Sequence, residues 1–329
     1  MRATTVTAVL VFLLGATGQA VDLQILVPLY SYPAWYNPAA YLWDDVAAAA
    51  HDVPVTVIIN PNNGPNGGPP NSDYVVGLND LRAGGVTILG YVYTSYGSRP
   101  LTNVQADVDL YAQYYNIHGI FFDEVASATN QLEYYRQLFD YVKAKTNLHI
   151  VVTNPGTHFD ERYLTRPATD TAVIFENGSG WSAYAPDAYV SNYPAARFAA
   201  LVYNTPDEAT MRSNVDFAVH RNIGYVYVTD DSGANPWDTL PTYWTAEVAY
   251  VKALRALRIT NLTLDGAAAR LTFTTVSNKL FAVETGTNLA ARDWTALTSN
   301  ITGTGGTLEI GDPAAGLAPS RFYRVRLLP

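Results

Sequence analysis

The sequence predicts an α/β fold, a (β/α)8 TIM barrel, followed by a small all-β, sandwich-like domain. Two observations favour the barrel. Eight short runs rich in Val, Ile, Tyr and Phe recur over residues 23–231, and helical patterns lie between several of them. Strands that are apolar on both faces and alternate with helices form parallel sheets covered by helices. Eight such units in about 240 residues match the usual size of a closed barrel.

Each predicted strand is too uniformly apolar to have one face in water. In chain order the runs are LQILVPLYSY from Leu23, VTVIINP from Val55, VTILGYVYTSYG from Val86, GIFFDEV from Gly119, HIVVTNPG from His149, TAVIFEN from Thr171, FAALVYN from Phe198 and IGYVYVTDD from Ile223. Apolar residues at helical spacing predict helices over 37–52, 130–146, 207–221 and 245–258. An open, doubly wound sheet is the alternative, but it would normally carry a glycine-rich phosphate turn after an early strand, and the sequence has none.

The composition changes after Arg258. Tyr and Trp become rarer, Thr becomes frequent, and short alternating runs such as ARLTFTTV and SRFYRVRLL lie between turn residues. This pattern is typical of a small antiparallel β-sandwich. We therefore predict a barrel over 21–258 and a β-sandwich module over 259–329. Within the module, Trp294 and the aromatic residues of RFYRV are predicted to belong to the core, with a sugar-binding surface as the alternative.

The first 20 residues predict a secretory signal. Arg2 precedes the short apolar run AVLVFLL, and GQA ends at Ala20 with small residues at the cleavage positions. The run is too short to span a bilayer, and no later apolar stretch is long enough. We expect cleavage near Ala20, a secreted protein and no membrane insertion. A buried N-terminal strand is the alternative.

Charge and cysteine content disfavour several classes of function. The net charge of −9 argues against nucleic acid and anionic membranes as partners. The absence of Cys excludes disulfides, a thiol nucleophile and thiolate metal sites. The five His are scattered, and no GxSxG, P-loop or dinucleotide motif is present. We therefore predict no cofactor, no bound metal and a monomeric protein.

Three acids at strand ends are the candidate catalytic residues. In a (β/α)8 barrel, active sites lie at the C-terminal ends of the strands. Asp123 and Glu124 follow FF at the end of the fourth strand, and Glu176 follows IF in the sixth. Burial beside aromatic rings raises the pKa of a carboxyl group. Two carboxyl groups in different protonation states are what glycosidic bond cleavage requires. An acid-only metal site built from the same three residues is the alternative.

Other polar and aromatic residues are predicted at the same end of the barrel. They are Tyr30, Tyr32, Asn60, Tyr93, Tyr96, Asn154, Asn204, Asp230 and Asp231. For Asp230 and Asp231, helix capping or turn formation explains the position as well as a functional role does. The segment 60–74, rich in Gly and Pro, is predicted to be a shaped loop at this end.

Five of these segments together resemble the spherulin-4 family. VPLYSYP, VIINPNNGP, GYVYTSYGSRP, GIFFDEV and VIFEN occur in this order, and the resemblance covers residues 23–255. The family includes secreted glycoside hydrolases on (β/α)8 barrels that cut α-1,4-linked N-acetylgalactosamine in galactosaminogalactan-type polymers. It is more distantly similar to the endo-α-1,4-polygalactosaminidases. The resemblance therefore implies a polysaccharide substrate.

The resemblance also implies roles for the acids. Asp123 would be the nucleophile or the carboxylate that stabilises positive charge, and Glu176 would be the general acid/base. Glu124 would hold a neighbouring group or the sugar. The roles of the two glutamates could be exchanged, and retaining, inverting and substrate-assisted mechanisms all remain open. The cleft would be lined by Tyr30, Tyr32, Asn60, Tyr93, Tyr96, Arg99 and Asn154.

Two other functions are compatible with the sequence. One is a non-catalytic protein that binds polysaccharide or cell wall. The other is a polygalactosaminidase-like enzyme that acts on a deacetylated polymer. Arg99 would suit acetylated or anionic sugars, whereas the acidic chain would attract a partly deacetylated, cationic polymer.

Overall fold

The structure, a computed structural model, describes residues 21–288, 293–318 and 320–328. The chain divides into two compact units: residues 23–252, and residues 253–328 together with 21–22. The predicted secretory signal over 1–20 lies outside the described residues. Within the described part, no helix is both long enough and apolar enough to cross a membrane.

Eight parallel strands form a closed barrel in which each strand pairs with the next and β8 pairs with β1. The strands are β1 (Gln24–Leu29), β2 (Val55–Ile59), β3 (Thr87–Tyr93), β4 (Gly119–Asp123), β5 (Ile150–Thr153), β6 (Thr171–Asn177), β7 (Phe198–Val202) and β8 (Tyr225–Val228). The helices are α1 (Leu42–Ala49), α2 (Ser72–Ala83), α3 (Leu101–Tyr114), α4 (Leu132–Lys143), α5 (Arg162–Thr165), α6 (Glu208–His220) and α7 (Trp244–Arg255). Every predicted apolar run contains one strand, and the predicted TIM barrel is confirmed.

The loops that follow the strands gather at one end of the barrel, which we call the top rim. Two helices begin there with side-chain caps. Asn71 Oδ1 accepts a hydrogen bond from Tyr74 N at 3.0 Å, and Asp207 Oδ1 accepts one from Thr210 N at 2.8 Å. All residues of β2 and β7 are buried, which explains why these runs are apolar throughout.

The crossover from β6 to β7 differs from the other connections. It contains three short 3-10 helices, at Trp181–Ala183, Ala188–Asn192 and Ala195–Arg197, and no α-helix. The segment carries glycines and prolines, and Gly180 has a left-handed backbone with φ 82°. Glycine and proline both disfavour an α-helix interior, so the crossover remains irregular.

Two loops of the top rim are held by side-chain hydrogen bonds. In the Gly- and Pro-rich segment 60–74, Asn60 Oδ1 accepts a hydrogen bond from the backbone N of Gly64 at 2.8 Å. Gly64 has a φ of 136°, a backbone angle that residues other than glycine rarely adopt. In the loop after β8, Asp231 accepts from a threonine hydroxyl at 2.8 Å, and Asp230 accepts from a backbone N shortly before α7. These contacts agree with the turn-forming interpretation of the two aspartates.

The second unit contains two three-stranded antiparallel sheets, in the orders β13-β10-β9 and β12-β11-β14. Their strands are β9 (Ile259–Asp265), β10 (Ala268–Thr274), β11 (Leu280–Gly286), β12 (Thr295–Thr302), β13 (Thr307–Asp312) and β14 (Phe322–Leu327). Phe273 and Phe281 are fully buried, with ring centroids 6.1 Å apart. Trp294 is half-buried beneath the guanidinium of Arg324 at 4.5 Å, outside this core. The predicted all-β C-terminal domain is confirmed.

Candidate active site

A cavity of about 380 Å³ opens at the top rim of the barrel. Its lining residues come from six strands or the loops after them and from the loop after β8: Pro28, Tyr30, Asn60, Phe121, Asp123, Asn154, Glu176, Leu201, Ala234, Asn235, Pro236 and Trp237. This lining contains two carboxyl groups and no basic side chain. The cavity therefore concentrates acidic groups against an aromatic and apolar wall.

Asp123 ends β4 and accepts hydrogen bonds on both oxygens. Tyr91 OH donates to Oδ2 at 2.8 Å, and Asn154 Nδ2 donates to Oδ1 at 2.8 Å. Burial, followed by the charge of Asp123, raises the pKa of Tyr91, so the phenol keeps its proton and remains a donor. Each oxygen of Asp123 thus has a neutral hydrogen-bond donor, and no basic side chain lies in the cavity lining.

Glu176 lies in β6 in a very different environment. Burial, followed by repulsion from Asp123, raises the pKa of Glu176 to about 7. Hydrogen bonds from Asn154 and Trp237 act in the opposite direction. At neutral pH this carboxyl is therefore near the midpoint of its titration, where it can both give and accept a proton.

Asn154 connects the two acids. Its Nδ2 donates to Asp123 Oδ1 and also to Glu176 Oε2. Because both oxygens lie within hydrogen-bond reach of one nitrogen, they are no more than about 6 Å apart. The backbone of Asn154 is held on both sides, since its N donates to Phe122 O at 2.8 Å and its O accepts from Val125 N at 3.1 Å. The spacing of the acids is thus fixed by the strand ends.

The predicted site residues divide into two groups. Those that line the cavity are Tyr30, Asn60, Asp123, Asn154 and Glu176. Those that lie at the top rim without lining it are Tyr32, Tyr93, Tyr96, Arg99 and Glu124.

Glu124 follows Asp123 but has a left-handed backbone, with φ 52°. Its carbonyl oxygen accepts hydrogen bonds from Tyr96 N at 2.7 Å and from the Thr94 hydroxyl at 2.8 Å. Tyr96 also has a left-handed backbone, and its side chain is exposed. The residues after β3 and β4 are therefore bound to each other through their main chains.

Arg99 makes contacts within its own loop and helix. Its guanidinium forms an ion pair with Asp107 at 2.7 Å, donates to Tyr93 O at 3.1 Å and lies 4.2 Å from the centroid of the Tyr93 ring. These contacts fix the connection from β3 to α3. They explain the charge of Arg99 without a ligand.

Sequence reasoning missed two residues of the site, Tyr91 and Trp237. Tyr91 lies inside β3, two residues before Tyr93, whereas the sequence-based prediction rests on residues at strand ends. Trp237 is buried in the long loop after β8, and its indole N–H donates to Glu176. Its backbone carbonyl oxygen accepts a hydrogen bond from Tyr30 N at 3.1 Å. Strand periodicity could have indicated Tyr91, because residues two apart share a face. No pattern in the sequence indicated Trp237.

The alternative acid-only metal site would need Asp123, Glu124 and Glu176 to lie in one cluster, and they do not. In residues 21–288, 293–318 and 320–328, no three His, Cys, Asp or Glu side chains are arranged to hold an ion. Asp123 and Glu176 share a cavity, whereas Glu124 is outside its lining. The site is thus a pair of carboxyl groups with neutral hydrogen-bond donors.

Comparison with known proteins agrees with the fold and the strand-end motifs. Residues 24–251 match the sequence profile of the spherulation-specific family 4. Spherulin-4 from Physarum polycephalum is 36% identical over 244 residues, which cover 70% of this chain and 71% of that protein. The crystal structure of Aspergillus clavatus Sph3 in complex with GalNAc superposes with a TM-score of 0.60 and 28% identity, covering 70% of this chain and 97% of the other. The chain therefore belongs to the spherulation-specific family 4.

Proposed function

We propose that the protein is a glycoside hydrolase that cleaves a polysaccharide containing N-acetylgalactosamine. The observation that carries this proposal is the pair of acids in one cavity: Asp123 with two neutral donors, and Glu176 with a pKa raised to about 7. Glycosidic bond cleavage needs one carboxylate and one carboxylic acid around the same bond. The similar Aspergillus structure was solved with GalNAc, which supports the choice of sugar. The α-1,4 linkage and internal cleavage are those that the family resemblance implies.

The first chemical step forms a glycosyl-enzyme. Glu176 donates its proton to the glycosidic oxygen while the bond from that oxygen to the anomeric carbon breaks. A carboxylate oxygen of Asp123 attacks the anomeric carbon and forms an ester. Glu176 is then ionised, and the departing half of the polymer carries the proton as its new hydroxyl.

The second step releases the enzyme. Glu176 accepts a proton from water, the water oxygen attacks the anomeric carbon, and the ester bond to Asp123 breaks. Both acids return to their starting states. Because Glu176 must act first as an acid and then as a base, a pKa near 7 suits both steps.

The spacing of the acids supports retention of anomeric configuration. Their bridged oxygens lie no more than about 6 Å apart, closer to the roughly 5–5.5 Å of retaining enzymes than to the roughly 6.5–9.5 Å of inverting ones. If the 2-acetamido group of the substrate acts as nucleophile instead, Asp123 orients that group and configuration is again retained. A covalent adduct on Asp123, detected by mass spectrometry of the stalled enzyme, distinguishes the two routes.

Release of reducing ends tests the proposal. Wild type, Asp123→Asn and Glu176→Gln are incubated with α-1,4-linked galactosaminoglycans of defined acetylation. Wild type is expected to release reducing ends from the acetylated polymer, and each variant to lose at least about 100-fold in rate. Glu309→Gln, which changes an exposed glutamate of β13 that is distant in sequence from the site, is the matched control and should keep full activity.

Each other result assigns a different function. Binding of the polymer without release by wild type would identify a non-catalytic polysaccharide-binding protein. Release only from the deacetylated polymer would identify a polygalactosaminidase-like enzyme. Loss of activity in Glu124→Gln but not in Glu176→Gln would transfer the acid role to Glu124.

We also propose that the protein is secreted after cleavage near Ala20. The apolar run AVLVFLL and the GQA sequence that ends at Ala20 support this location. N-terminal sequencing of protein recovered from the medium tests it. A first residue of Val21 is the expected result.

A further inference from the structure

Three exposed aromatic side chains lie together in the loop after β1. The exposed fractions of Tyr32, Trp35 and Tyr36 are 46%, 47% and 64%, and the rings of Trp35 and Tyr36 meet edge to face with centroids 6.0 Å apart. We call these three residues the rim platform. Clustered apolar surface of this kind marks a binding surface more often than single exposed residues do.

The polar edges of two platform rings are bound to one carboxylate. Asp73, in the first turn of α2, accepts from Tyr32 OH at 2.7 Å and from Trp35 Nε1 at 2.9 Å. Asn71 Nδ2 donates to Tyr32 OH at 3.1 Å. Two of the three rings are therefore held at their polar edges, and about half or more of each side chain of the platform stays exposed to solvent. Rings fixed in this way lose less conformational entropy when a ligand binds.

The loop beneath the platform packs closely on α2. A Cβ atom at Gly77 would lie 2.9 Å from Pro33 Cβ and 2.6 Å from the Trp43 ring, so only glycine permits this approach. Trp43 Nε1 donates to Ser31 O at 3.2 Å, just before the platform. The exposed rings thus rest on a rigid support.

The platform is close to the catalytic cavity. Tyr30 lines the cavity, and Trp35 follows it by five residues on the same loop. Five fully extended residues span at most about 18 Å, and turns within this loop shorten the distance. A polymer that leaves the cavity along this side reaches the platform within a few sugar units.

The shape and chemistry of the platform match a sugar ring. A pyranose has an apolar face of C–H groups and a margin of hydroxyl groups. The faces of aromatic rings are apolar and electron-rich, and they attract the positively polarised hydrogens of such a face. The polar atoms of Tyr32 and Trp35 lie at the ring margins, bound to Asp73, and do not obstruct stacking.

We propose that the rim platform is a distal subsite that stacks a pyranose unit of the polysaccharide whose scissile bond lies in the cavity. The identity of that polymer rests on the proposed function. The platform holds the chain several units from the reacting bond and so favours long substrates over short ones. Its contribution is to binding and not to the chemical step.

The test compares Trp35→Ala with wild type on long and short α-1,4-linked N-acetylgalactosamine oligomers. For the long oligomer, KM is expected to rise about tenfold with kcat unchanged, because a contact made equally in ground and transition states is lost. The ratio of kcat/KM for long over short oligomers falls accordingly. Asp73→Ala keeps the rings but frees their edges, and is expected to raise KM about fivefold.

Tyr114→Ala is the matched control. Tyr114 is also exposed, but it ends α3 at the opposite end of the barrel, so its removal should leave the ratio unchanged. Binding of the long oligomer is also measured in the Glu176→Gln background, where turnover does not interfere. In that background, Trp35→Ala is expected to raise the dissociation constant of the long oligomer about tenfold.

The two readouts separate the platform from the proposed function. Absence of hydrolysis in wild type, with weaker binding in Trp35→Ala, would overturn the hydrolase and keep the platform. Hydrolysis with an unchanged long-to-short ratio and unchanged binding would overturn the platform and keep the hydrolase. A loss equal in size for short and long oligomers would also overturn the distal subsite.

Discussion

Replacing Glu176 by Gln is expected to stabilise the barrel, and by an amount that depends on pH. The pKa of Glu176 rises from 4.5 to about 7 on folding, chiefly because the carboxyl is buried. Below pH 4.5 the group is protonated in both states. Between pH 4.5 and about 7 the unfolded chain ionises this acid while the folded protein keeps it protonated, so stability falls across this window and the loss is complete above it.

The size of this loss in the free energy of unfolding follows from the shift in the pKa of Glu176. A displacement of about two and a half pH units, at about 1.4 kcal/mol per unit, corresponds to about 3 kcal/mol at pH 8. Glutamine has nearly the same shape but does not ionise. The free energy of unfolding of Glu176→Gln should therefore match that of wild type at pH 4.5 and exceed it by about 3 kcal/mol at pH 8.

Urea denaturation followed by tryptophan fluorescence measures this difference. Five of the six tryptophans lie within residues 23–252, so the signal reports mainly on the barrel. The comparison of wild type and variant at each pH cancels the other titrating groups. A difference that is the same at both pH values, or one that favours wild type at pH 8, would refute the buried, raised-pKa description of Glu176.

Three further predictions concern the surroundings of this acid and the fold. Trp237→Phe removes a hydrogen-bond donor that lowers the pKa of Glu176. The basic limb of the pH–kcat/KM profile should therefore move to higher pH by about one unit. Tyr91→Phe removes a donor to Asp123 and should lower kcat about tenfold or more in steady-state assays, with little change in melting temperature. Gly77→Ala forces a methyl group into the indole and proline packed over it, and should lower the free energy of unfolding by about 1–3 kcal/mol in urea titrations.

The sequence was sufficient for the barrel because each buried strand is a continuous apolar run. It was also sufficient to place Asp123 and Glu176 at the top rim, because a residue at the end of such a run emerges there. Their roles in catalysis stay a prediction. Asp123, Asn154 and Glu176 satisfy this rule and do share a cavity. Adjacent strand ends in a closed barrel are neighbours in space, so their proximity follows from the fold alone.

The remaining parts of the site depend on loop conformation, which periodicity does not encode. Trp237 reaches Glu176 from a loop held by Asp230 and Asp231, and nothing in its sequence position indicates that contact. The family resemblance implied that Arg99 lines the cleft, but an ion pair and a ring contact hold it in its own loop. Glu124 comes directly after the end of β4 and also lies outside the cavity lining. The C-terminal end of a strand thus identifies a rim position and does not by itself identify a cavity wall.

The left-handed backbone at Glu124 makes this position costly for the protein. A residue other than glycine loses about 1–2 kcal/mol in that conformation, and here the carbonyl contacts to Thr94 and Tyr96 maintain it. Selection for thermostability alone would favour glycine or asparagine at position 124. In a library screened for heat resistance, substitutions of Glu124 should therefore be enriched. Measuring the activity of the heat-resistant variants would then show whether the Glu124 side chain contributes to turnover.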